Sequence, residues 1–163
     1  HSFPTRRSSD LVVAEGKLDA SDTQVFLLVP SGKKEGPTYR ILSFDDKETS
    51  FAMGSTRVIN LAPFPIRFTL AGQQLPAIKP GGMTVYPQVK KVDEWNMYTA
   101  QLDFGVKENE WVNVATQSWK ASERKRDWVI TRVDPATQSP SIRLFQDVPP
   151  WRKDVLEQGK ATP

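Results

Sequence analysis

The chain has no cysteine and a single histidine, His1, in 163 residues. Without cysteine it can form no disulfide framework, no thiolate zinc site and no cysteine nucleophile. Without a histidine after position 1, the rest of the chain can supply neither a Ser-His-Asp or Cys-His arrangement nor a histidine-ligated metal. The commonest nucleophilic and zinc-dependent mechanisms are therefore excluded within this chain.

Long apolar runs and a strong charge are also missing. No stretch approaches the roughly 20 apolar residues that a membrane helix needs, so the sequence predicts no membrane span. Lysine and arginine number 22 against 19 aspartate and glutamate residues, and the net charge of +3 is too small to indicate a nucleic-acid partner. Neither of the phosphate-binding motifs GxxxxGK[ST] and GxGxxG occurs, and we predict no cofactor.

The first eleven residues, HSFPTRRSSDL, match the in-frame translation of a common short-read sequencing adaptor. We interpret residues 1–11 as an artefact of sequence assembly and expect them to be disordered. They are left out of the fold prediction, as a fusion scar would be. On this interpretation the native start of the protein is missing, so the lack of a signal peptide carries no information about location.

The clearest structural signal is an alternation of apolar and polar residues at Ile66, Phe68 and Leu70. This is the period of a strand with one buried face, and it predicts that Phe68 belongs to the core. Gly72 and the segment Pro80–Gly82 supply the backbone conformations that tight turns need. The chain should therefore fold back and forth here as a meander of short strands.

Similar short runs bounded by turn residues continue along the chain, and no segment has a convincing helical period. Eight or nine short strands without helices indicate an all-β fold. We predict an antiparallel β-sandwich of the immunoglobulin-like or Greek-key type. It is expected to form a single domain over residues 12–151, followed by a polar tail over residues 152–163.

Carboxylates are the remaining candidates for catalysis or metal binding. A glycosidase needs two carboxylates at a defined separation, but each candidate lies in or beside a predicted turn and none can be paired with another. The candidates are Asp45, Asp46, Asp103, Glu108 and Glu110. The run from Asp45 to Glu48 lacks the spacing and interior glycine of a calcium loop and is typical of a solvated turn. We predict that the protein is not an enzyme and has no catalytic or metal-binding residue.

A basic segment between two tryptophans is the one candidate binding site. Cations interleaved with aromatic rings can bind a polyanion or stack on sugar rings. The candidate residues are Trp119, Arg124, Lys125, Arg126 and Trp128. The alternative is a loop that is solvated by its charges and joins two strands, with both tryptophans facing the core.

Three strand-and-turn motifs carry a family resemblance: RVINLAPFPIRFTLAG at 57–72, IKPGG at 78–82 and FQDVPP at 145–150. Together they resemble small exported β-sandwich proteins that are common in environmental bacteria. The first motif is also similar to secreted repeat domains that begin R-V-x-N and pass through a proline to a hairpin glycine. The resemblance extends over residues 25–150 and implies an extracytoplasmic β-sandwich, without transferring any catalytic or binding residue.

We therefore expect a non-enzymatic, periplasmic or secreted β-sandwich that acts as a structural or protein-interaction module of a bacterial envelope. Its expected partner is a protein or another envelope component. The alternative function is a carbohydrate- or polyanion-binding module that uses the Trp119–Trp128 edge. An exposed row of aromatic side chains beside a groove would favour the binding module, and converging buried carboxylates would favour an enzyme.

Overall fold

A computed structural model of the protein describes residues 11–148, which form eleven β-strands and no helix. The all-β class is therefore confirmed, and nothing in this part of the chain is a helix that could cross a membrane. The chain divides into two compact units, one ending at Ser50 and one beginning at Phe51. The prediction of one domain over residues 12–151 stays a prediction. The expectations for residues 1–10 and for the tail lie outside the described residues.

The first unit contains a three-stranded sheet. Its strands are β1 (Ala14–Gly16), β2 (Gln24–Pro30) and β3 (Tyr39–Asp45), in the order β1-β3-β2. The β1 strand lies so close to β3 that a Cβ atom at Gly16 would be 2.2 Å from the carbonyl oxygen of Ile41. Glycine is therefore required at this position if β1 is to pair with β3.

The second unit contains two four-stranded sheets. Its strands are β4 (Thr56–Asn60), β5 (Ile66–Leu70), β6 (Gln73–Gln74), β7 (Met83–Tyr86), β8 (Met97–Lys107), β9 (Glu110–Lys120), β10 (Arg126–Val133) and β11 (Pro140–Asp147). One sheet has the order β11-β10-β4-β7, and the other has the order β6-β5-β8-β9.

The prediction that all strands pair in an antiparallel direction is wrong for two strand pairs. The β1 strand runs parallel to β3, and β4 runs parallel to β10. Parallel neighbours need a long connection, and the chain between β4 and β10 contains five other strands. Residues 11–148 also form eleven strands rather than eight or nine, and two of them, β1 and β6, have only three and two residues.

Both four-stranded sheets contribute to one hydrophobic core. Val58 of β4 and Val129 of β10 belong to the same cluster as Phe68 of β5 and Leu102 of β8, and all four side chains are buried. The ring of Trp119 packs on Phe68, with 5.5 Å between the ring centroids. The prediction that Phe68 belongs to the core is confirmed.

Asn60 connects the end of β4 to the proline-containing turn that follows. Its side chain is fully buried, and Nδ2 donates to the carbonyl oxygens of Phe64 and Ile78 at 2.8 and 3.0 Å. Its Oδ1 accepts hydrogen bonds from the backbone N–H of Ala62 at 2.9 Å and from the hydroxyl of Thr131 at 3.3 Å. The asparagine of the R-V-x-N motif therefore satisfies backbone groups of two separate segments.

We expect Asn60→Ala to lower the free energy of unfolding by at least about 2 kcal/mol, because each backbone group left without a partner costs about 1–3 kcal/mol. The carbonyl oxygen of Phe64 and the N–H of Ala62 lose their partner, whereas the carbonyl oxygen of Ile78 keeps its hydrogen bond from the N–H of Ile66. Urea denaturation followed by tryptophan fluorescence measures the change. Asn113→Ala, at an exposed asparagine of β9, is the control and should cost less than about 1 kcal/mol. Equal losses in the two variants would contradict this role of Asn60.

Candidate functional site

The two tryptophans of the predicted binding site lie on different sheets. Trp119, near the end of β9, is 5% exposed, and its ring packs against Phe68 and Tyr98. Trp128, in β10, is 9% exposed and meets the ring of Phe51 edge-on, with 5.3 Å between centroids. The two rings lie in different environments and do not form a shared stacking surface.

Arg124 is exposed, whereas the two cations that follow it are buried. The ammonium group of Lys125 donates to the carboxylate of Asp127. The guanidinium of Arg126 binds Asp147 of β11, with 2.9 Å between Nε and Oδ2. The expectation of a loop solvated by its charges is therefore wrong for Lys125 and Arg126. Both are members of buried ion pairs.

Neither ion pair was predicted from the sequence, because the basic segment was expected to form a loop. In the structure, strand β10 begins at Arg126, inside that segment. Lys125 and Asp127 are two residues apart, so their side chains lie on the same side of an extended chain. That spacing was the one available signal. The second pair depends on the register of β10 and β11, which places Arg126 opposite Asp147. No local pattern in the sequence reports that register.

The carboxylate of Asp127 lies in a buried polar cluster. Desolvation raises the pKa of Asp127, while the hydrogen bond and the charge of Lys125 act in the opposite direction. Its Oδ1 atom has no hydrogen-bond partner among residues 11–148. Burial raises the pKa of Tyr98 to about 12, and the negative charge of Asp127 adds to that shift. Both residues are less than 10% exposed, so neither side chain offers an open binding surface.

Trp128 forms one wall of a site for an internal cation. The guanidinium carbon of Arg57 lies 4.4 Å from the centroid of the Phe51 ring and 4.8 Å from that of Trp128. Arg57 is only 2% exposed. A cation over an aromatic face is attracted by the ring quadrupole, and the attraction grows when both groups are desolvated. The arginine of the R-V-x-N motif therefore occupies the aromatic face that a sugar ligand would need.

The carboxylates named from the sequence have separate contacts. Asp103 pairs with Arg67 at 3.0 Å, and Glu110 pairs with Lys107 at 3.7 Å. Hydrogen bonds from a serine hydroxyl, a backbone N–H and a second serine hydroxyl lower the pKa of Asp45 to about 2. Within residues 11–148, no three histidine, cysteine or carboxylate side chains gather as a metal site would require.

Two cavities of the second unit share Tyr86 as a lining residue. The larger has a volume of about 550 Å³ and lies between the β5–β6 turn and the segment after β7. The smaller, of about 390 Å³, is lined by residues 76–79 and 82–84. The Tyr86 hydroxyl has no hydrogen-bond partner in the described part of the chain, and burial raises its pKa to about 12. No sequence motif indicated these cavities, because their walls come from separate segments.

No protein-family model matches this chain, and no curated protein is significantly similar to it. The resemblance to small exported β-sandwich proteins therefore stays a prediction.

We expect Lys125→Glu to lower the free energy of unfolding by about 3–5 kcal/mol, because it leaves a buried carboxylate without its cation. Arg124→Glu, one residue earlier in the chain, is the matched control and should change stability by no more than about 0.5 kcal/mol. Both variants replace a cation by glutamate, so they change the net charge equally. A difference between their free energies of unfolding, measured by guanidinium denaturation at neutral pH, therefore reports the burial of Lys125. Two equally small effects would mean that Lys125 is solvated.

Proposed function

We propose that this protein is a non-enzymatic, extracytoplasmic β-sandwich module that binds a protein partner through the three-stranded sheet of its first unit. The shared core of the two four-stranded sheets supports the sandwich, because two sheets that pack face to face bury their inner side chains in a common layer. The resemblance to exported proteins supports the location. The sheet of the first unit supports the interaction.

One face of the three-stranded sheet carries exposed apolar side chains, and this observation carries the proposal. Phe26 and Leu28 alternate along β2 and are 50% and 54% exposed. Pairing places Leu28 opposite Ile41 and Pro30 opposite Tyr39, which is 41% exposed. Because paired residues share a face of a sheet, these side chains form a continuous patch. Exposed apolar patches of this kind mark protein interaction sites.

The β2 strand is also an edge strand of its sheet. Its sequence, QVFLLVP, has no charged residue, whereas edge strands that avoid association commonly carry lysine or an inward-pointing charge. An extended segment of a partner could pair with this edge through backbone hydrogen bonds. Its side chains would then contact the apolar patch. A protein partner can use the free edge of β2 and the apolar patch at the same time, whereas a small ligand cannot.

The carbohydrate- or polyanion-binding alternative has less support. It requires accessible aromatic rings and cations at the Trp119–Trp128 edge. Both tryptophans are buried, and Lys125 and Arg126 are buried in ion pairs. Of the three candidate cations only Arg124 is exposed, and one arginine does not make a polyanion site.

We expect the double variant Phe26→Ser/Leu28→Ser to lose the partner while keeping its fold, since both side chains are half exposed. The matched control is Phe145→Ser, because Phe145 lies on β11 of the second unit and is 55% exposed. Immobilised wild-type and variant chains are compared for the proteins they retain from an envelope extract of the source cells. Far-ultraviolet circular dichroism checks that all three chains are folded.

The wild type and Phe145→Ser should retain the same protein, and the double variant should not. Retention of that protein by the double variant would assign the contact to another surface. Retention of no protein by the wild type would contradict the interaction function itself.

A further inference from the structure

The larger cavity of the second unit has the size of a small-molecule site. Its volume of about 550 Å³ falls within the roughly 300–1,000 Å³ that is typical of ligand pockets. One wall is the β5–β6 turn from Leu70 to Gln73, and the other is the segment from Tyr86 to Lys91. The cavity therefore lies where a strand end of one sheet meets a strand end of the other.

The floor of the cavity is continuous with the hydrophobic core. Leu70 and Tyr86 are buried members of the core cluster, and Leu75 and Val89 pack against it. Side chains that are held by a close-packed core keep their positions. An apolar group placed on this floor would be removed from water without disturbing the fold, which favours its binding.

The charged residues that line the cavity are all cationic. Lys90 and Lys91 are exposed side by side, and the lining residues include no aspartate or glutamate. The ammonium group of Lys90 donates to the side-chain oxygen of Gln88 at 2.9 Å. Glutamine is neutral, so this hydrogen bond holds the lysine beside the cavity without cancelling its charge. The smaller cavity follows the same pattern, with Lys79 and no acidic residue.

Tyr86 lies behind both cavities as a buried residue of the core. It is 8% exposed, and its hydroxyl is enclosed by the protein. The hydroxyl is therefore not among the groups that a ligand in the cavity would contact.

We propose that this cavity binds a small amphipathic organic anion. The apolar body of the ligand lies on Leu70, Leu75 and Val89, and its anionic head lies at Lys90 and Lys91. The site belongs to the second unit and does not depend on the partner surface proposed for the first unit.

Octanoate is the probe, because it combines an aliphatic body with a carboxylate. We expect titration of the nitrogen-15-labelled 163-residue chain to give saturable amide shifts confined to residues 70–75 and 86–91. Octylammonium, with the same body and the opposite charge, should bind at least about tenfold more weakly. The affinity for octanoate should also fall as the salt concentration rises, because the lysines are exposed. Octylammonium binding as tight as that of octanoate would overturn the proposal, and so would shifts that do not saturate.

Two pairs of adjacent exposed lysines provide a matched comparison. Lys90→Ala/Lys91→Ala should weaken octanoate binding by at least about tenfold, and Lys33→Ala/Lys34→Ala in the first unit should leave it unchanged. Leu75→Trp should remove binding by filling the cavity. Because the lysines are exposed, their variants decide the outcome even where Leu75→Trp reduces stability. Equal effects of the two lysine pairs would overturn the assignment of the anion to Lys90 and Lys91.

Discussion

The second unit depends on the burial of apolar side chains from both four-stranded sheets in one core. Val58 and Val129 come from one sheet, Phe68 and Leu102 come from the other, and none is more than 1% exposed. A half-buried sheet alone leaves one apolar face in water, so each sheet needs the other. The hydrogen bonds of Asn60 depend on the same packing, because they replace water for backbone groups that the core has covered.

The polar groups of this unit are arranged to allow that burial. Lys125 is paired with Asp127, and Arg126 is paired with Asp147 on the neighbouring strand. A buried charge is tolerated where a charge of opposite sign and hydrogen bonds replace water, and removal of one member is costly. The basic segment therefore belongs to the interior of the fold. Both proposed binding surfaces lie outside this segment and include residues that the packing leaves exposed.

Features that produce a local alternation of apolar and polar residues could be predicted from the sequence. Features that depend on which strands pair could not. The alternation around Phe68 identified a core strand, and the absence of helical periods predicted the all-β class. The parallel pairing of β4 with β10 was missed, because an alternation reports which face is buried and not which strand is adjacent. The pair of Arg126 with Asp147 and the cavity beside Tyr86 were missed for the same reason. Their members come from segments that are distant in the chain.

Amide hydrogen exchange in the Phe68→Ala variant tests the shared core most directly. Phe68 lies on β5, and truncation of such a core side chain typically costs about 3–5 kcal/mol. If both four-stranded sheets share one core, the truncation should lower the protection of backbone amides from exchange equally in the two sheets. The slowest amides of β4 and β10 should lose the same free energy of opening as those of β5 and β8. Thr69→Ala, on the other face of β5, should change neither sheet appreciably. A loss confined to β5 and β8 would contradict a single core.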